Sequence, residues 1–339
     1  MARGKWVIAA LVLVALGAIG WALFGRPGNQ TKVDGLPTLE ITVFAAPSQS
    51  IWFPTIIQKR GLDVKNGFHL VVKQKPGPTA YAEFASGIDK VCYCAAPAAV
   101  ARFVEQGSKI TLLWNVFSAE YVLVTNNPSV QKPADIMGRK LAADTSTGGY
   151  AVAAMLLARN AIDLKKVDVQ SAWGAAQAAL LSSRRIDALL LTPVEAAMLK
   201  DADPEHVRII ELIQSSGWRA FGYGPGVPAI SFGVWTDWIV QPANADLARR
   251  FYRANIEAVE WGKANPEAAA DLVSGTVNVK RASVLNTLKL RSDYIRVAPI
   301  AEYRAPIREL TTKLLPDAAL IDRPMTEAEL KQFVSDFQP

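Results

Sequence analysis

Cysteine and histidine are nearly missing from this chain of 339 residues, with two of each. A disulfide-dense scaffold is therefore excluded. A Cys/His metal site is disfavoured, because Cys92 and Cys94 have only His69 and His206 to join them, at unhelpful spacings. The sequence also lacks a Gly-Lys-Ser/Thr phosphate loop, a helix-turn-helix and an internal repeat. Nor is there a dense basic stripe. Lys and Arg number 37 against 31 Asp and Glu, and setting aside Arg3, Lys5 and Arg26 halves the formal +6. No nucleic-acid partner is expected. Half the residues are apolar, nine are Trp and only 20% are charged, which is too apolar for disorder. The length suits two compact domains or one domain with two lobes.

Residues Trp6–Phe24 read WVIAALVLVALGAIGWALF, without a charge, after the basic stub MARGK. As a helix this run spans about 28 Å, close to the hydrocarbon core of a bilayer. Its basic flank stays cytoplasmic and everything after it is exported. The run is a signal anchor or an export signal with a long apolar region; small-residue cleavage sites are poor and no lipoprotein-type Cys follows, so an uncleaved anchor in the inner membrane is favoured. Residues 27–37, rich in Gly, Pro and polar groups, form a linker after this segment (1–26).

Strand-like runs at Leu39–Ala45, His69–Lys73, Lys90–Cys94 and Ile110–Phe117 alternate with helical stretches at Pro54–Arg60 and Ala80–Ser86. A second series runs from strand Lys140–Ala143 through helix Tyr150–Asn160, strand Val167–Ala172, helix Ala175–Arg184, strand Ala188–Leu191 and helix Val194–Leu199 to strand Val207–Leu212. Such alternation predicts mostly parallel sheets. Strand Tyr121–Asn127 joins the two series and Ala229–Thr236 carries the chain back. The tail is helical: Asn244 is read as the cap of a helix to Ala264, Asn265-Pro266 starts the next, and Thr326-Glu327-Ala328-Glu329 matches a capping box.

In open α/β sheets ligands bind beyond the carboxyl ends of the strands. The loops there hold Ala45-Ala46-Pro47-Ser48-Gln49-Ser50-Ile51-Trp52, Pro76-Gly77-Pro78-Thr79, Cys94-Ala95-Ala96-Pro97 and Asp144-Thr145-Ser146-Thr147-Gly148-Gly149-Tyr150. Trp173 and Thr192-Pro193-Val194-Glu195 follow. Hydroxyls and glycine amides at a helix start suit a polar head group. Glu195 reads equally as a partner for a ligand cation or as a helix starter. Cys92 and Cys94 share one face of a strand, where a bridge would be strained. They read as reduced core or site-lining residues, or as a redox-labile pair.

Gly87-Ile88-Asp89 with Ala95-Ala96-Pro97-Ala98, the stretch Lys132–Lys140, and Ser183-Arg184-Arg185-Ile186-Asp187-Ala188 carry a resemblance. So do Leu247–Phe251, Ile256-Glu257-Ala258 and Asn265-Pro266-Glu267-Ala268. The chain resembles the periplasmic substrate-binding proteins of ABC importers for nitrate, alkanesulfonates, taurine and thiamine-precursor pyrimidines. That resemblance implies an α/β, type II periplasmic-binding-protein fold with a two-strand hinge. Lobe 1 would comprise 38–126 and 227–339 with the C-terminal helices, and lobe 2 would comprise 127–226. It implies capture of a small organic ligand of sulfonate, pyrimidine or aromatic-acid type, and delivery to an ABC permease and its ATPase. The implied ligand contacts are Ser50, Trp52, Thr79, Cys94, Ser146, Thr147, Gly148, Trp173 and Glu195, with no cofactor, metal or catalytic residue. Cys92-Tyr93-Cys94 departs from the family's glycine-rich third loop. Trp52, Trp114 and Trp173 suit an aromatic or heterocyclic ligand, and the missing cleft Arg disfavours a small, strongly charged anion. A pyrimidine-synthase-like enzyme and a membrane-tethered sensor are the alternatives on this fold.

Overall fold

β-Branched and aliphatic residues alternate with polar ones in Thr38–Phe44, and Leu39, Ile41 and Val43 are all buried. This period-two pattern makes β1 the start of a sheet with a buried face. The computed structural model describes residues 35–145, 148–172, 174–213, 223, 226–317 and 319–338. The expected membrane segment Trp6–Phe24 lies outside the described residues. Among those described, no helix is long and apolar enough to cross a membrane. Residues Pro37–Pro339 form one compact unit.

That unit contains two sheets, of six and five strands. In the first, β1 pairs in parallel with β2 (His69–Lys75) along its whole length and with β3 (Val91–Ala95) at Thr42 and Cys92. The returning strand β10 (Pro228–Trp235) inserts antiparallel between β3 and β4 (Ile110–Ser118), and β11 (Ile295–Pro299) flanks β4, also antiparallel. In the second sheet β6 (Lys140–Ala143) lies in parallel between β7 (Asp168–Ser171) and β8 (Ala188–Leu191). β5 (Val122–Thr125) runs antiparallel between β8 and β9 (Arg208–Glu211). Both sheets are thus mixed rather than mostly parallel. The difference has a simple cause: β5 and β10, which carry the chain between the sheets, run against their neighbours. At the crossing, the Ala119 N–H donates to the Val227 carbonyl at 2.6 Å.

The face of the first sheet that carries Tyr93 and Trp114 is held by aromatic packing. Trp114 stacks on Phe232 at 4.1 Å, and Phe251 of the long helix Pro242–Ala264 meets both rings at 5–6 Å. That helix starts at Pro242 with Gln241 in the cap position, three residues before the expected cap Asn244, whose amide instead donates to the Trp238 carbonyl at 2.9 Å. Asn265 likewise donates back to Trp261 at 3.0 Å and makes no side-chain cap. The capping box at Thr326 and Glu329 is present.

Cys92 and Cys94 are joined by a disulfide, which corrects the reading of them as reduced residues. Between Cys92 and Ala95 the strand bulges: these residues pair with Gly233 and Ser231, so three steps on β3 match two on β10. A bulge of this kind shortens the strand locally, and the two Cα atoms lie 5.1 Å apart, within ordinary bridging range. Gly233 permits the close strand approach, since a Cβ there would stand 2.6 Å from that of Ala95.

The sheets share an apolar core where helix Pro97–Glu105 packs on helix Gly148–Arg159. On another flank helix Arg281–Leu290 packs on helix Pro193–Ala202, with Val194 buried in the core of the first sheet. Lys280 faces Asp201 there at 3.8 Å.

Candidate functional site

The parallel pair β6 and β8 is followed by Asp144 and Thr192, and β5 starts beside the end of β8, because Val122 opposes Leu191. This register puts Tyr121, Asp144 and the start of helix Pro193–Ala202 on one edge of the second sheet. Thr145 and Ser171 extend that edge toward β7, their hydroxyls 2.8 Å apart. From the first sheet come Phe44, at the end of β1, and Tyr81, on helix Gly77–Ser86. Tyr81 meets Phe44 edge-on at 5.0 Å and Phe103 at 5.5 Å, and its hydroxyl donates to the Cys94 carbonyl at 3.3 Å.

Electrostatics tie the two edges together. Burial pushes the Tyr121 hydroxyl well above its ordinary pKa, and the charges of Glu195, Tyr81 and Asp144 push it further. Burial likewise raises Tyr81; the Ala96 backbone partly offsets this, and Asp144 adds to it. Both phenols are protonated at neutral pH. The charge of Asp144, from the second sheet, thus adds to the upward shift that burial gives Tyr81.

The expected contacts divide into several groups. Ser50 is fully buried, its Oγ accepting from the Phe44 N–H at 3.0 Å and lying 3.0 Å from the Ser48 hydroxyl, so it braces the loop after β1. Trp52 is buried with Phe53, Ile56 and Ile57, its indole edge-on to Phe117 at 6.3 Å. Its helix turns it into the core, which corrects its expected place at the cleft surface. Cys94, in the disulfide, is buried too and brings only its carbonyl to Tyr81. Thr79 is exposed on helix Gly77–Ser86, and Gly148 begins helix Gly148–Arg159. Ser146, Thr147 and Trp173 lie outside the described residues.

Glu195 is at the site edge and also serves its own helix. Its Oε2 accepts from the Thr192 N–H at 3.0 Å and hydroxyl at 2.7 Å, while the Thr192 hydroxyl accepts from the Glu195 N–H. Sequence reasoning passed over Tyr81, Tyr121 and Asp144 as contacts. Asp144 carried a usable signal, since it opens the loop singled out after β6. Among the described residues no group of His, Cys, Asp and Glu could hold a metal ion.

No curated protein matches the chain. Among solved structures, the periplasmic aliphatic sulphonate binding protein SsuA from Escherichia coli is similar with a TM-score of 0.71 at 14% identity, over 89% of this chain and 92% of that one. The alkanesulfonate-binding protein SsuA from Xanthomonas axonopodis pv. citri, bound to MOPS, gives 0.66 at 15% identity over 88% and 96%. A Candida albicans protein described as exhibiting the generic periplasmic binding protein structural fold gives 0.64 at 14% identity over 90% and 98%. At such identities these likenesses establish the fold, a periplasmic-binding-protein architecture. Residues 56–269 match the NMT1/THI5 like family, well over half of the chain. The chain therefore belongs to the NMT1/THI5-like family.

Proposed function

We propose that this protein is the extracytoplasmic solute-binding component of an ABC importer, which captures a small organic ligand between two lobes and delivers it to a permease and its ATPase. The observation that carries this reading is the strand-end edge of the second sheet, where Val122 opposite Leu191 sets Tyr121 beside the Thr192–Glu195 helix start and the Thr145 and Ser171 hydroxyls lie 2.8 Å apart. Family membership and the fold of the sulfonate-binding neighbours support it. The lobes are residues 38–126 with 227–339, and residues 127–226. Thr79, Ser146, Thr147, Gly148, Trp173 and Glu195 are ligand contacts, joined by Tyr81, Tyr121 and Asp144. The apolar run Trp6–Phe24 exports the chain and tethers it to the inner membrane.

Ligand that bridges both lobes binds the closed form more tightly than the open one and shifts the equilibrium at the crossing strands. No bond in the ligand is made or broken. The test is mass spectrometry of small molecules retained by the full chain, followed by calorimetry with the identified compound. Tyr121→Phe, which keeps the packed ring and removes only the hydroxyl, and Trp173→Ala weaken binding without lowering the unfolding midpoint of the unliganded protein. Unchanged affinity in both variants defeats the site, and chemical conversion of the compound favours the enzyme alternative.

A further inference from the structure

Among the described residues, three of the five exposed large apolar side chains lie at one end of the first sheet: Ile88 at 73%, Val240 at 66% and Val64 at 42% exposure. Strand register places them there. Thr42 opposes Cys92 in parallel, so Ile88 stands level with Thr38 at the start of β1. Val234 opposes Val91, and beyond it the Trp235 N–H donates to the Lys90 carbonyl at 2.9 Å and the Thr236 N–H to the Lys109 carbonyl at 2.8 Å. Helix Thr236–Ile239 and then Val240 follow at once. Val64 is on helix Leu62–Lys65, which leads into β2 beside the start of β1, where the His69 N–H donates to the Pro37 carbonyl at 2.9 Å. Trp235 packs against Gly87, with its indole N–H on the Phe84 carbonyl at 2.7 Å, and the next residue, Ile88, is left facing solvent.

Lysines accompany these side chains. Lys59 ends helix Trp52–Lys59, which carries the chain from the end of β1 back to this end, while Lys90 precedes β3 and Lys109 precedes β4. Lys90 is held by Asp237 at 2.9 Å, but Lys59 and Lys109 are exposed and have no carboxylate partner among the described residues. Exposed aliphatic groups with free lysines beside them suit the headgroup layer of an anionic bilayer. The chain also enters the first sheet at this end. Residues 27–37, which lead to Thr38 from the segment holding the apolar run, reach about 40 Å when fully extended. A bilayer that holds Trp6–Phe24 is therefore within reach of Ile88 and Val240.

We propose that this end of the first sheet rests on the surface of the anionic bilayer to which the chain is tethered, with Ile88, Val240 and Val64 among the headgroups and Lys59 and Lys109 on lipid phosphates. The proposal rests on the tether in the proposed function and goes beyond it, from attachment to posture. The strand ends of β1 and β3, where ligand contacts are expected, lie at the opposite end of the sheet, so this posture leaves them open to solute.

An environment-sensitive NBD label on the full chain tests it, attached at Gln241→Cys beside Val240 and, as a control, at Lys165→Cys, an exposed site before β7 of the second sheet. Cys92 and Cys94, buried in their disulfide, take no label. In vesicles of equimolar phosphatidylcholine and phosphatidylglycerol the label at 241 shifts to the blue and is shielded from an aqueous quencher, and the label at 165 is not. Lys59→Gln with Lys109→Gln lowers the ratio of shielded to exposed label by about tenfold or more, since each lysine at an anionic surface contributes about a factor of five. Ile88→Asp with Val240→Asp abolishes the shift. If the chain withstands an alkaline carbonate wash of the vesicles and the label at 241 is as open to quencher as that at 165, the proposal is overturned and the tether stands. Shielding that is the same without phosphatidylglycerol and in the lysine variant also overturns it. Shielding that persists in detergent and grows with protein concentration identifies a second copy of this chain as the occupant, and overturns it too. Release of the chain by the wash overturns the tether and the proposal together.

Discussion

Replacing Gly233 by Ala tests the packing that sets the position of β3. A Cβ at this site would stand 2.6 Å from the Ala95 Cβ, 3.2 Å from Leu112 Cδ2 and 3.4 Å from the Phe84 ring. The first distance is shorter than carbon atoms tolerate, and both groups belong to paired strands that cannot swing aside. β10 must move away from β3, which strains the ladder on both sides. Overpacking of this kind costs about 1–3 kcal/mol, and in a domain of this size each kcal/mol lowers Tm by about 2–4 °C. Circular dichroism should show Gly233→Ala melting roughly 2–12 °C below the parent. Ala95→Gly in the same background removes the clashing methyl group and should recover much of the loss, giving a coupling energy above about 0.5 kcal/mol in a double-mutant cycle. An unchanged melting temperature, or strictly additive single effects, would refute the reasoning.

Asp89→Asn should destabilise by about 1–3 kcal/mol near neutral pH. The buried Asp89 carboxylate accepts from Thr42 at 2.6 Å and Lys75 at 2.5 Å. Burial alone would raise its pKa, yet the Lys75 and Thr42 contacts hold it below the usual carboxylate range. Its stabilisation is therefore present above the unfolded value of about 3.9 and lost as pH falls through the lower folded value. Urea midpoints at pH 7 and pH 3 check this, and a difference that does not shrink in acid counts against it. Replacing both Cys92 and Cys94 by Ala should cost only about 2–3 kcal/mol, because their loop is so short that its closure restricts little chain entropy. Urea unfolding of the non-reduced parent and the variant measures this, and collapse of the variant at 25 °C would contradict it.

Lys140–Ala143 and Ala188–Leu191 were legible to the residue, because each is a short apolar run closed by turn-forming neighbours. The Thr326–Glu329 box was legible for a similar reason: its pattern is local. The mixed pairing of the sheets was not, since the place of β10 between β3 and β4 depends on contacts more than a hundred residues apart. Trp52 shows how a single residue misleads. An indole after a strand suits a cleft, but four of its neighbours on the same short helix are also apolar, and packing on Phe117 decides its direction. Asn244 has the right chemistry for a cap, yet Trp238 claims its amide. Tyr81 and Tyr121 escaped notice because one lies within a helix and the other was read as the first residue of a strand. Only the assembled register brings them together.

The threading of β10 through the middle of the first sheet also dictates an order of assembly. As the chain emerges from its N-terminus, β1 to β4 appear early but have no central partner until residues 228–235 follow. The five strands of the other sheet, by contrast, all fall between Val122 and Glu211 and can pair as soon as they emerge. The nascent chain therefore completes its inner half before its outer halves can knit around it, and until then the open edges of β3 and β4 are exposed to mispairing.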